Sequence, residues 1–184
     1  MRALSLVLLA ALAACRDPNA LPAAHTTNAV DTLVSLWAAS DGVVERPSAY
    51  VITLLGAGAV RTDRSGANFE FVFDIDTAGR ALLLPRGALK LGNPSGVLLS
   101  DEEFDSLLIA PSSGYQDTVA VEVAPGAVAV IRSRVVSCFA FTSFPLYAKL
   151  EVLAVDQTDR RMDFKILANI NCGYASLDSV LPTR

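Results

Sequence analysis

The chain has 184 residues, with 15 Lys and Arg against 19 Asp and Glu and a formal net charge of −4. A mildly acidic chain with no basic run gives no footing for nucleic-acid binding. At 52% hydrophobic and 18% charged residues it excludes a disordered polymer, and its length suffices for one domain with its own core.

Residues 1–15 read MRALSLVLLAALAAC. Arg2 supplies a positive start, Leu4 to Leu12 an apolar run, and Leu12-Ala13-Ala14-Cys15 a close of small residues before a cysteine. This is the layout of a secretory signal, and it is too short to span a bilayer as a mature helix. The stretch resembles the lipobox of bacterial lipoproteins. The resemblance implies cleavage of residues 1–14 and acylation of Cys15, palmitate among the chains, with membrane lipid as the first partner. Each buried methylene is worth about 0.8 kcal/mol, so two or more chains are needed to anchor stably. Arg16 stands where enteric lipoproteins carry an aspartate that retains them at the inner membrane. The resemblance therefore implies the outer membrane rather than the inner, in a host that has both.

Residues 16–29, RDPNALPAAHTTNA, hold two prolines and no periodicity. Residues 15–29 are read as lipid anchor and tether, and His25 as a solvated tether residue. The remainder, 30–184, is read as one β-rich domain. Val30 to Ala38 fits a first strand, although Val30, Leu33, Val34 and Trp37 also fall at helical spacing. Tyr50 to Leu55 predicts a strand ended by Gly56-Ala57-Gly58, which lacks the third glycine and following helix of a dinucleotide fingerprint. Asn68 to Asp76 is the clearest strand, with Phe69, Phe71, Phe73 and Ile75 alternating with Glu70, Val72 and Asp74. Thr77 to Arg80 supplies a turn, and Ala81 to Leu84 the return strand. Prolines and glycines then punctuate residues 85–96, with a short strand near Val97 to Leu99.

Residues 100–109, SDEEFDSLLI, predict one short helix. Ser100 and Glu103 match a capping box, acids fill the first turn, and Phe104, Leu107 and Leu108 form an apolar stripe. Pro111 and Gly114 end it. Strands follow at Asp117 to Val123, Ala127 to Val136, Leu146 to Val155 and Met162 to Ile170. Ser137 to Pro145 is read as a cysteine-bearing loop. This spacing predicts an all-β fold, an antiparallel β-sandwich or barrel-like domain.

Cys138 and Cys172 remain once Cys15 is assigned. Export would place them in an oxidising compartment, where a disulfide is the first reading. Two buried thiols or half of a metal site are the alternatives. Asp74, Asp76 and Gly79 match the opening of a calcium loop, but Ala78 and Pro85 stand where an EF-hand needs oxygen ligands. A hairpin turn with capping aspartates is the simpler reading. Glu102 with Glu103, or Asp74 with Asp76, could in principle form an acid–base pair, but no nucleophile elbow is present and the one histidine is His25. Arg132, Arg134 and Lys149 fit either an anion or glycan contact, or a solvated face paired with Glu122 and Glu151.

Residues from Gly126 through Arg132 to Tyr147-Ala148-Lys149-Leu150 are similar to a pattern in secreted β-domains of bacterial surface lipoproteins, some of them haem-binding. That similarity implies the β architecture. The domain offers Met162 and no histidine as an axial ligand, and no cofactor is expected.

The sequence thus predicts a lipid-anchored, non-enzymatic binding or structural module of the cell envelope. Its expected contact surface is Phe139, Phe141, Phe144 and Tyr174 around the cysteines, offered to an envelope protein or glycan. The alternatives are an envelope hydrolase using paired carboxylates and a calcium-stabilised surface domain.

Overall fold

A computed structural model describes residues 26–35, 46–139 and 142–179. The expectations for the signal, Cys15, His25, Trp37 and Phe141 lie outside these residues.

The strands are β1 (Thr26–Val34), β2 (Ala49–Thr53), β3 (Gly56–Val60), β4 (Phe71–Ile75), β5 (Ala81–Pro85), β6 (Gly96–Ser100), β7 (Val121–Val123), β8 (Val128–Phe139), β9 (Thr142–Asp156) and β10 (Arg161–Asn169). They form two five-stranded antiparallel sheets, ordered β1-β10-β9-β8-β6 and β3-β2-β4-β5-β7. The sheets pack face to face as an all-β sandwich rather than closing into a barrel.

Alternation builds the core. Phe71, Phe73 and Ile75 of β4 point inward, onto Ala129 and Ile131 of β8, Leu150 and Val152 of β9, and Phe164 and Ile166 of β10. Tyr50 stacks on Phe71 at 5.8 Å between ring centroids and meets Phe164 edge-on at 5.5 Å. Each such aromatic or aliphatic side chain contributes roughly 1.5–3 kcal/mol by leaving water. Part of each outer face is covered as well. Phe69, Val72 and Ala49 pack under the 60–69 and 86–91 segments. Phe104, Leu107 and Leu177 lie on Val128, Val130 and Leu167.

The predicted helix over 100–109 does not form. Ser100 ends β6, paired with Val128, and its hydroxyl accepts from the Glu102 amide at 3.1 Å rather than capping a helix. Leu107 N to Glu103 O, 3.1 Å, closes a single turn. The carbonyls of Phe104 and Leu107 accept instead from the Lys149 ammonium, at 2.6 and 2.9 Å. Backbone bonds between Leu177 and Leu108 and between Ala110 and Ala175, both 2.8 Å, then strap the segment to the chain beyond β10. A stretch this short takes its form from tertiary partners rather than propensity. The only helical element among the described residues is a 3-10 turn at Arg86–Leu89.

Several boundaries also differ from the sequence reading: the strand read from Asn68 begins at Phe71, and the one read from Asp117 begins only at Val121. β1 begins at Thr26, inside the segment read as tether. Gly56-Ala57-Gly58 does not end the β2 run but opens β3, its register set by Thr53 opposite Gly56. Ser137 to Pro145 is not a loop: β8 and β9 run through most of it, with Val136 opposite Phe144 and Ser137 opposite Ser143.

Candidate functional site

The last extension makes the most distinctive feature of the molecule. One rung crosses the first sheet: Thr26 opposite Asn169, Asn169 opposite Tyr147, Tyr147 opposite Arg132, and Arg132 opposite Gly96. β1, β6 and β10 stop at or near this rung, while β8 and β9 continue past it as a two-stranded arm. An isolated two-stranded ribbon is marginal in water, so the arm needs other support.

Three contacts supply it. Cys138 on the arm and Cys172 just beyond β10 lie at disulfide-bonding distance, with 5.9 Å between their Cα atoms. The Asn93 side chain continues the place of β6 beside β8: its amide donates to Val135 O at 3.1 Å and its oxygen accepts from Val135 N at 3.2 Å. At the arm's base the ladder shifts register between Arg132 and Val135, and the freed groups find buried partners. The Arg134 amide donates to a Glu70 carboxylate oxygen at 3.0 Å, and its guanidinium lies 3.5 Å from the other. Leu146 N donates to the Ser133 hydroxyl at 2.8 Å.

Glu70 is fully buried and ties the two sheets together, since it also accepts from Ile52 N of β2 at 3.4 Å. Burial raises its pKa, and the hydrogen bond and charge of Arg134 oppose that rise. Arg86 lies beside it, over the Phe69 ring, and donates to the carbonyls of Ala67, Phe69, Gly92 and Asn93. Ser95 links the two groups by donating to Glu70 O while accepting from Arg86 N. A buried charge is tolerated where it is paired and its remaining groups are hydrogen-bonded, and each condition is met here.

Of the expected contact residues, Phe144 is 42% exposed and Tyr174 is half-buried. Phe139 lies on β8 with its backbone opposite Thr142, and its side chain is outside the described residues, as is Phe141. Val135, 49% exposed, adds to this end of the sandwich. The β2–β3 hairpin tip adds Leu54 and the 97%-exposed Leu55. The sequence reading took those leucines as strand residues. Their signal was the tight Thr53 to Gly56 connection, which leaves both at the turn.

The remaining candidates are dispersed. Asp76 caps its own hairpin, accepting from Ala78 N and Arg80 N at 2.9 Å each and from Arg80 Nε at 2.7 Å. These bonds hold its carboxyl below the usual range. Asp74 accepts from the Ser35 hydroxyl and lies 3.8 Å from Arg160. No group of three or more possible metal ligands occurs among the described residues. Arg132, Arg134 and Lys149 do not form a basic stripe facing Glu122 and Glu151. Arg132 sits 4.7 Å over the Tyr115 ring, Arg134 pairs with Glu70, and Lys149 is only 3% exposed. Glu151 pairs with Lys165 at 2.7 Å, and Glu122 lies 3.9 Å from Arg80. Phe104 is held between Lys149 and Lys165, whose ammonium groups lie 4.7 and 4.3 Å from its centroid. Burial lowers the Lys149 pKa.

An open cleft of about 440 Å³ is lined by Asp101, Glu102, Glu103 and Asp105 with the Glu151–Lys165 pair. The four loop acids are all exposed. No family model and no curated protein matches the chain.

Proposed function

We propose that the chain is a lipid-anchored, non-enzymatic β-sandwich module of the cell envelope, held through Cys15, with its contact surface at the cysteine-pinned end. The observation that carries this reading is the Met1 to Cys15 pattern, a charged start, an apolar run and small residues before cysteine. The Cys138–Cys172 pair at disulfide distance supports it, because such pairs persist in oxidising compartments outside the cytosol. The arm supports the placing of the surface, since it projects past the sheet and is held to the rest of the molecule through Arg134, Val135 and Cys138 of β8.

The test is fractionation of the protein in its own host. The wild type is expected to partition with membranes and to leave them only in detergent. Cys15→Ala is expected to abolish that partition while leaving the folded domain intact. A Cys15→Ala variant that still partitions with membranes would refute the anchor.

A further inference from the structure

We infer that the sandwich rests end-on against the bilayer, with the Leu54–Leu55 tip and the Val135 and Phe144 side chains of the β8–β9 arm touching lipid. This rests on the lipid-anchor reading and gives its contact surface an occupant.

The strand directions carry the argument. β1 starts at Thr26, on the rung where the arm begins. β1 ends at Val34, whose amide donates to Pro47 O at 2.9 Å. β2 then runs back, from Ala49 to Thr53, so its tip reaches the end where β1 began. Glu70 fixes the match between sheets by bonding Ile52 near that tip and Arg134 at the arm's base. Leu54, Leu55, Val135 and Phe144, all exposed, therefore share one end of the sandwich with the entry of the chain.

Covalent geometry then limits the distance. Eleven residue steps separate Cys15 from Thr26, a span of at most about 40 Å in any conformation. The opposite end lies nine residues along β1 from Thr26, about 30 Å, and reaches lipid only with the tether drawn out along the sandwich. The entry end needs no such extension, and it is the end whose tips are apolar.

At the opposite end the Asp76 turn and the Asp156 to Arg161 turn meet, with Gln157 Nε2 donating to Gly79 O at 2.9 Å, and both are polar, with Asp76 paired to Arg80 and Asp159 to Arg161.

The test uses the full acylated protein in vesicles of phosphatidylethanolamine and phosphatidylglycerol with brominated acyl chains. A fluorophore is placed on Leu55→Cys or, at the opposite end, on Thr158→Cys. Bromine is expected to quench the first label at least three-fold more than the second. Protein that floats with the vesicles but shows equal, weak quenching at both sites would overturn the end-on placement and leave the anchor standing. Protein that does not float would overturn both. A label at 55 shielded only at high protein-to-lipid ratio, and unquenched by bromine, would assign the tips to a second copy and overturn the placement.

Discussion

Replacing both cysteines, Cys138→Ala with Cys172→Ala, removes the covalent support of the arm. The pair closes a loop of sequence separation 34, and loop-closure entropy for that length corresponds to about 4 kcal/mol at 25 °C. The β9–β10 hairpin lies wholly inside the loop. Where it persists in the denatured chain, the free loop shrinks to some ten residues and the effect falls to about 3 kcal/mol. For a domain of this size that is a loss of roughly 6–16 °C in melting midpoint. Urea and thermal unfolding followed by far-ultraviolet circular dichroism would measure it, and the urea m-value should rise as the unlinked denatured chain expands. Reductant should destabilise the wild type by the same amount and leave the double variant unchanged. A wild type insensitive to reductant would refute the reasoning, because the sulfurs would then not be bonded.

Glu70→Ala leaves the Arg134 charge and the Ile52 amide without their buried partner, and should cost about 3–5 kcal/mol in urea unfolding. The pH dependence has a definite sign. The folded Glu70 pKa lies above its ordinary 4.5, so the folded state binds the proton more tightly, and this group's contribution falls as pH rises from about 4.5 through the raised value. Wild-type stability relative to Glu70→Gln should decline over that window, and a relative gain would contradict the burial argument. Lys149→Met keeps the aliphatic stem but strands the carbonyls of Phe104 and Leu107. It should cost about 1–3 kcal/mol and speed proteolysis within 101–110. A Cβ at Gly87 would sit 2.1 Å from the Asp117 carbonyl oxygen, so Gly87→Ala should cost about 1–3 kcal/mol by overpacking, checked by its melting midpoint. Calcium or chelator should leave the midpoint unchanged, since Asp76 is held by Arg80 and Asp74 lies against Arg160.

The strands with strong period-two alternation were legible. The Phe71 to Ile75 register reads directly from its alternation, and the Tyr147 and Phe164 strands from theirs, but Phe69 lies before β4 and packs with Val72 on the outer face instead of continuing the inner one. What failed was local pattern overruled by distant partners. The 100–109 segment carries every helix signal, yet Lys149, some 40 residues on, takes its carbonyls. Glu70 reads as an outward-facing polar position because nothing adjacent reveals Arg134, sixty-four residues away. Ser137 to Pro145 reads as loop because Cys138, Ser143 and Pro145 break the pattern, whereas the strand pairing continues through them. The cysteine pair was legible from its even count and the signal-like start. The arm it supports and the leucine tip beside it were not, since both depend on which ends of the strands coincide.

The measurement that tests the central claim most directly is the intact mass of the membrane-extracted protein, with and without reduction and alkylation. The account predicts a chain beginning at Cys15, carrying acyl chains, with two thiols that alkylate only after reduction. An unacylated chain whose cysteines alkylate freely without reductant would contradict both the anchor and the oxidising compartment.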